Sequence, residues 1–203
     1  MYIYIAGALI AYLVGGFSPA LIISKCKKKD IRSHGTGNLG ASNTTILLGA
    51  KWGILVAVLD ILKAYIPVTV AKTCFAEYDL LPYVVSTCVI LGHIFPFYLK
   101  FRGGKGFATY MGAMLGLNLN AFLIVGFLFL VFTFETDYIV CGTLSVVTLF
   151  PVYLWFSRGN IYYVCIILVA SAVIVYKHRV NIVKILNKEE IGLNAAFSGK
   201  HKI

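Results

Sequence analysis

Long apolar runs, separated by short polar segments, set the pattern of this chain. Residues 2–24 are apolar almost throughout and long enough to cross a bilayer as a helix, which takes about 20 residues. Residues 51–70 and 80–99 predict a second and a third span, joined by a short loop over 72–79. Residues 107–117 and 121–134 are short for spans and are divided by Asn118 and Asn120. They read as two short helices or as a re-entrant hairpin. A single long helix there would invert everything downstream, and the Asn pair argues against it. Residues 138–156 and 161–176 supply the last two spans. The expected fold is all-α. It is a polytopic integral membrane helix bundle of about seven transmembrane helices, or five plus the hairpin, forming one domain over residues 1–203.

Small and kinking residues, Gly15, Gly16, Ser18 and Pro19, mark the end of the first span and predict close helix packing there. Asp60 and Lys63 sit one turn apart inside the second span. Charges at that depth are costly and usually pair inward. They read either as a buried ion pair that fixes packing or as a substrate contact.

Charge orients the pattern. Three polar segments, 25–43, 100–106 and 177–188, hold most of the lysines and arginines and fall on one face of the alternation. Positively charged loops are cytoplasmic, so the N-terminus is expected outside and the C-terminus inside. No basic segment precedes the first span, which makes it a poor signal peptide. Composition supports the membrane reading: 60% of residues are hydrophobic and only 13% charged, against about 25% charged in soluble domains. The net charge of +10 would suggest nucleic acid in a soluble protein. Here no aromatic residues interleave the basic runs, which excludes that partner and leaves anionic lipid or an anionic substrate. The five cysteines have no metal or disulfide spacing, so neither is expected.

The first polar segment contains Gly35-Thr36-Gly37-Asn38-Leu39-Gly40-Ala41-Ser42-Asn43. Such a run reads as a flexible polar loop, or as a turn whose successive N–H groups cradle a phosphate at a membrane surface. Asn43 and Thr44 are placed to cap the following helix, whose N-terminus also favours an anion. Gly35, Gly37 and Gly40 fit G-x-G-x-x-G, yet no strand precedes them and no βαβ pattern follows, so a dinucleotide is excluded. The second segment repeats this chemistry as Arg102-Gly103-Gly104-Lys105-Gly106. It is not a Walker A loop, but Lys105 supplies a point charge among glycines and Arg102 a phosphate-matching fork. His93, near the inner end of its span, reads as a packed residue or a ligand contact. His178 and Asn181 lie one turn apart and face one way if the last helix continues through them.

These segments resemble the three motifs of the bacterial acyl-phosphate:glycerol-3-phosphate acyltransferases. The first is Asp30-Ile31-Arg32 with Gly35 through Asn43. The second is Gly92-His93-Ile94-Phe95-Pro96 with Phe101-Arg102-Gly103-Gly104-Lys105-Gly106-Phe107-Ala108-Thr109. The third is His178-Arg179-Val180-Asn181-Ile182. Leu59-Asp60-Ile61-Leu62-Lys63 and Ser18-Pro19 match as well. The resemblance implies a multi-pass enzyme of the bacterial plasma membrane with cytoplasmic active-site loops, acting as a monomer without cofactor. It implies transfer of a fatty acyl group from acyl phosphate, rather than acyl-CoA or acyl carrier protein, to the 1-hydroxyl of glycerol 3-phosphate. The products are lysophosphatidic acid and phosphate. Thr36, Lys105, His178 and Asn181 stand at the family's catalytic positions. Gly37, Asn38, Gly40, Ser42, Asn43, His93, Arg102, Gly103, Gly104 and Gly106 make up the implied binding set. Two positions depart from the pattern. Thr36 replaces a Ser and keeps its hydroxyl. Ile46 replaces an Arg, for which Lys51 or Arg32 would have to compensate. A non-catalytic lipid- or phosphate-binding paralogue is the alternative. An organic-phosphate transporter is less favoured, because no internal repeat is evident.

Overall fold

The computed structural model describes residues 1–198 and contains no strand among them. The chain divides into two compact units, residues 1–117 and the segment from Asn118 onward.

The first apolar run is two helices, α1 (Tyr2–Gly16) and α2 (Pro19–Cys26). Pro19 has no N–H to continue the ladder, and the Ser18 side chain accepts from the Leu21 N–H at 3.4 Å to start the next helix. Side chains fill the carbonyls released at this break. Tyr98 Oη donates to the Gly16 carbonyl at 2.6 Å and Lys63 Nζ to the Phe17 carbonyl at 2.8 Å. The apolar segment after the first glycine loop is also split. Gly49, at φ 91°, separates the short α3 (Ala41–Leu48) from α4 (Ala50–Cys74). After α4 come α5 (Leu81–Ile94), a 3₁₀ turn at Phe97–Leu99 and α6 (Phe107–Leu117).

Small residues let these helices touch backbone to backbone. A Cβ on Gly92 of α5 would overlap the Tyr12 carbonyl of α1, and one on Gly15 would overlap the Val89 carbonyl. The expected close packing at Gly15 is therefore present. A Cβ on Gly112 of α6 would overlap the Ile61 carbonyl of α4. Along α1 and α5 the contacts ascend together, from Gly7 with Leu81 to Tyr12 Oη with the Phe95 carbonyl. Along α4 and α6 they ascend from Ile61 with Gly112 to Lys72 Nζ with the Leu117 carbonyl. Each pair is parallel, and the two glycine loops consequently meet at one end of this unit.

The second unit begins at Asn118, whose side chain accepts from the Ala121 N–H at 2.9 Å and starts α7 (Leu119–Thr136). Asn120 thus lies within the first turn of a helix longer than the expected 121–134. After it come α8 (Ile139–Arg158), α9 (Ile161–Leu186) and the short α10 (Leu193–Ser198). The Asp137 carbonyl accepts from the Leu193 N–H at 2.6 Å and its carboxylate from the Asn194 N–H at 3.0 Å. These bonds tie the chain after α9 to the α7–α8 turn.

Among the described residues, six stretches are long and apolar enough to cross a membrane, and α6 is a shorter apolar helix of 11 residues. Large apolar side chains stand exposed along α7, among them Leu123, Phe127 and Phe134. In water such a surface would associate; in lipid it is solvated. Gly92→Ala is expected to lower the melting temperature in detergent, because overpacking a helix contact costs about 1–3 kcal/mol. Gly16→Ala, whose added Cβ meets its nearest neighbour at 3.6 Å, is expected to leave the melting temperature unchanged. Thermal unfolding of the two purified variants checks this.

Candidate active site

The first glycine loop is fastened at both ends. Ile31 and Leu39 are 0% and 2% exposed and enter an apolar cluster with Ala20, Leu21 and Ile23 of α2 and Val56 of α4. Between them residues 32–37 stand in solvent. Asn43 gathers this exposed arc. Its Oδ1 accepts from the Thr36 N–H at 2.8 Å, and its Nδ2 donates to the Ile31 and His34 carbonyls at 2.9 and 3.2 Å. Asn43 is fully buried, so it organises the loop and does not cap α3 as expected. Gly40, in extended backbone, is the N-cap, and Thr44 is buried in the first turn.

The loop's N–H groups differ from the expected open cradle. Gly37 donates to the His34 carbonyl, Gly40 to the Asn38 carbonyl, and Asn38 to Thr36 Oγ1 at 3.4 Å. These donors shape the loop. Gly35 and Gly37, at φ 61° and 67°, supply the left-handed turns it needs. What the loop offers outward is the Thr36 hydroxyl, the exposed Ser42, and the first-turn N–H groups of α3, which have no acceptor within their own helix.

The second loop folds back onto the end of α5. The Gly103 and Gly104 N–H groups donate to the Ile94 and His93 carbonyls at 3.0 and 3.1 Å and so cap that helix. Lys100 and Phe101 hold φ near 53° and 60°, an uncommon conformation for residues with side chains, and together turn the chain inward. Gly104 is needed for close approach. A Cβ there would overlap His93 Nε2 and lie 2.7 Å from the Leu39 carbonyl. The second loop is therefore wedged between α5 and the first loop, with Lys105 half-buried and Arg102 exposed beside it.

Beneath the wedge lies a charged cluster. Lys63 Nζ is 2.7 Å from Asp60 Oδ1 and 2.8 Å from His93 Nδ1, while His93 Nδ1 is 3.5 Å from Asp60 Oδ1. All three residues are buried. The ion pair expected at Asp60 and Lys63 is present, and His93 is a packed, hydrogen-bonded residue attached to it.

In the second unit α9 continues through the third polar segment. His178 and Asn181 lie on its inward side, between the exposed Arg179 and Val180. His178 is 5% exposed and its Nδ1 is 2.8 Å from the Ile174 carbonyl. A carbonyl only accepts, so Nδ1 carries a proton and the ring is held in one orientation. Asn181 Nδ2 donates to Glu190 Oε1 at 2.6 Å. Glu190 was not legible as a partner in the sequence, because an unstructured turn carries no periodicity to bring it back.

Ile46 is half-buried on α3. Of the cations named as substitutes, Arg32 is engaged by Asp30, whose Oδ1 lies 3.4 Å from its Nε. The Arg32 backbone N–H also donates to that carboxyl and, with the guanidinium, holds it below the usual carboxylate range. Lys51 is exposed in the first turn of α4. Lys29, not anticipated, reaches the Leu47 carbonyl at 3.1 Å.

The sequence model of the family described as glycerol-3-phosphate acyltransferase matches residues 5–188. A protein of Oceanobacillus iheyensis named glycerol-3-phosphate acyltransferase 1 is 34% identical over 97% of this chain and 98% of its own length. The chain belongs to the glycerol-3-phosphate acyltransferase family. Another member, from Bacillus subtilis, is 33% identical over 90% of this chain and 93% of its own. Crystal structures of PlsY (YgiH), an integral membrane glycerol 3-phosphate acyltransferase, are also similar. The glycerol 3-phosphate form superposes with a TM-score of 0.88 at 30% identity, covering 93% of this chain and 94% of that one. The lysophosphatidic acid form gives 0.87 at 28% identity, covering 96% and 98%. The first and second motifs of this acyltransferase family thus correspond here to two loops in direct contact.

Asn43→Ala is expected to loosen the first loop without unfolding the helices. Each buried partner left without its hydrogen bond costs about 1–3 kcal/mol, or about tenfold or more in local opening. Hydrogen exchange at the Thr36 amide should accelerate accordingly, while amides within α5 keep their protection.

Proposed function

We propose that the chain transfers a fatty acyl group from acyl phosphate to the 1-hydroxyl of glycerol 3-phosphate, giving lysophosphatidic acid and phosphate. The reaction takes place at the cytoplasmic face of a bacterial plasma membrane, in a monomer without cofactor. Residues 1–203 act as one acyltransferase domain, a reading supported by the family match extending across both compact units. The observation that carries the proposal is the contact of the two glycine loops at Leu39 and Gly104, of which one loop carries Thr36 and Ser42 and the other Arg102 and Lys105.

Acyl phosphate is already activated, so no covalent nucleophile is required. The 1-hydroxyl oxygen attacks the acyl carbon, the carbon–oxygen bond to phosphate breaks, and phosphate leaves with that electron pair. The protein's task is to hold two anions together and stabilise charge. Lys105 and Arg102 offer the cations. The Thr36 and Ser42 hydroxyls and the start of α3 add donors. Gly37, Asn38, Gly40, Gly103, Gly104 and Gly106 shape the loops, with Asn43 and His93 supporting them from below. His178 takes the hydroxyl proton, a role supported by the bond between its Nδ1 and the Ile174 carbonyl, which fixes the orientation of the ring. Asn181, steadied by Glu190, orients the substrate beside it.

Phosphate release from palmitoyl phosphate by the purified protein tests this. Release is expected only when glycerol 3-phosphate is present, with lysophosphatidic acid formed in equal amount. Release independent of glycerol 3-phosphate, or none, refutes the proposal. Lys105→Ala is expected to lower kcat/KM by about two to three orders of magnitude in a protein that still elutes as folded. A second prediction concerns Ile46. A guanidinium there would add charge-assisted hydrogen bonds worth roughly 1.5–3 kcal/mol. Ile46→Arg is expected to lower the KM for glycerol 3-phosphate about tenfold at saturating acyl phosphate. An unchanged KM would mean that Lys51 or Lys29 already fills the role.

A further inference from the structure

Asp60, Lys63 and His93 are buried together, and His93 adjoins Gly104 of the second glycine loop. An ammonium has three protons and no lone pair. Lys63 has three neighbours at hydrogen-bond distance: Asp60 Oδ1 at 2.7 Å, the Phe17 carbonyl at 2.8 Å and His93 Nδ1 at 2.8 Å. Carboxylate and carbonyl only accept. With Lys63 as the ammonium partner of the Asp60 carboxylate, His93 Nδ1 accepts too. The ring's proton is then on Nε2, the atom that a Cβ on Gly104 would overlap. The backbone of the same histidine accepts from the Gly104 N–H at 3.1 Å. His93 therefore braces the second loop with both its ring and its carbonyl, and Lys63 fixes the ring. Through the Phe17 carbonyl the same ammonium secures the break between α1 and α2, just ahead of the first loop.

We propose that Asp60, Lys63 and His93 are positioning residues for the acyltransferase site, a buried polar brace that sets the backbone of the second glycine loop and so the placement of Lys105. The kinetic part rests on the acyltransferase reading above; the structural part does not. A pair that merely stabilised the bundle would lower the melting temperature and the active fraction, and leave the substrate KM values alone. A brace under the loop changes how phosphate is held.

Two measurements test it. Nitrogen-15 NMR of histidine-labelled protein, in the intact parent, is expected to show His93 as the neutral Nε2-protonated tautomer. The Nδ1-protonated form or an imidazolium overturns the proposal, whatever the enzyme's activity. The second measurement uses the double variant Asp60→Asn with Lys63→Met, which removes both charges together and leaves no unpaired one buried. It is expected to speed amide exchange at Gly103 and Gly104. It should also raise the KM for glycerol 3-phosphate or for palmitoyl phosphate about tenfold or more. Tyr98→Phe, which removes the neighbouring bond to the Gly16 carbonyl without touching Lys63, is the control and is expected to leave both KM values unchanged. Parent-like exchange and parent-like KM values in the folded double variant overturn the brace. Should that variant not fold, the tautomer in the parent still decides. A parent inactive on palmitoyl phosphate refutes the reaction, and the tautomer and exchange results then judge the brace alone.

Discussion

A lysine ammonium placed inside an apolar bundle has to find an acceptor for each of its protons, because no water is there to take them. Lys63 forms an ion pair with a carboxylate one turn away and hydrogen bonds with a carbonyl released by a helix break and an imidazole from the next span. Much of the first unit follows from it. The Phe17 carbonyl, released at the helix break, would otherwise lose this donor. His93 is held in one orientation, and the second glycine loop rests on it. The glycine contacts between α1 and α5 and between α4 and α6 bring these groups within reach, since a single extra Cβ at Gly92 or Gly112 would push the helices apart.

Much of this was legible in the sequence. The apolar runs gave the helices, and the two charges at Asp60 and Lys63 gave an ion pair because three residues is one helical turn. The spacing of His178 and Asn181 put both on one side of α9 for the same reason. Breaks inside apolar runs were harder. Gly49 separates α3 from α4 with no polar residue to announce it, and Asn43 proved to be a loop organiser because its partners, Ile31 and His34, are distant in sequence. The glycines misled in an instructive way. Their N–H groups suggested an open phosphate cradle, but Gly37, Gly40, Gly103 and Gly104 bond within their own loops or to α5. Their use is to let two loops and a histidine occupy nearly the same space. Only tertiary contact reveals that, because a glycine needed for close approach reads the same in sequence as one needed for a free N–H.

The division of labour that results is a simple one. Glycines and Asn43 fix the backbone, while Thr36, Ser42 and Arg102 stand exposed and Lys105 is half-buried in the second loop. Preorganised donors of this kind need no rearrangement when charge develops, which is the condition under which they accelerate a reaction most. Ile46 adds no charge to that set, and the nearby cations differ in their engagement: Arg32 with Asp30, and Lys29 with the end of α3.

If the two glycine loops hold substrate as one unit, they must respond to it together. Titrating glycerol 3-phosphate into the detergent-solubilised protein while following the amide resonances of Thr36 and Lys105 tests this directly. Both resonances are expected to shift with a single midpoint. A shift at only one loop, or two separate midpoints, would contradict a shared site.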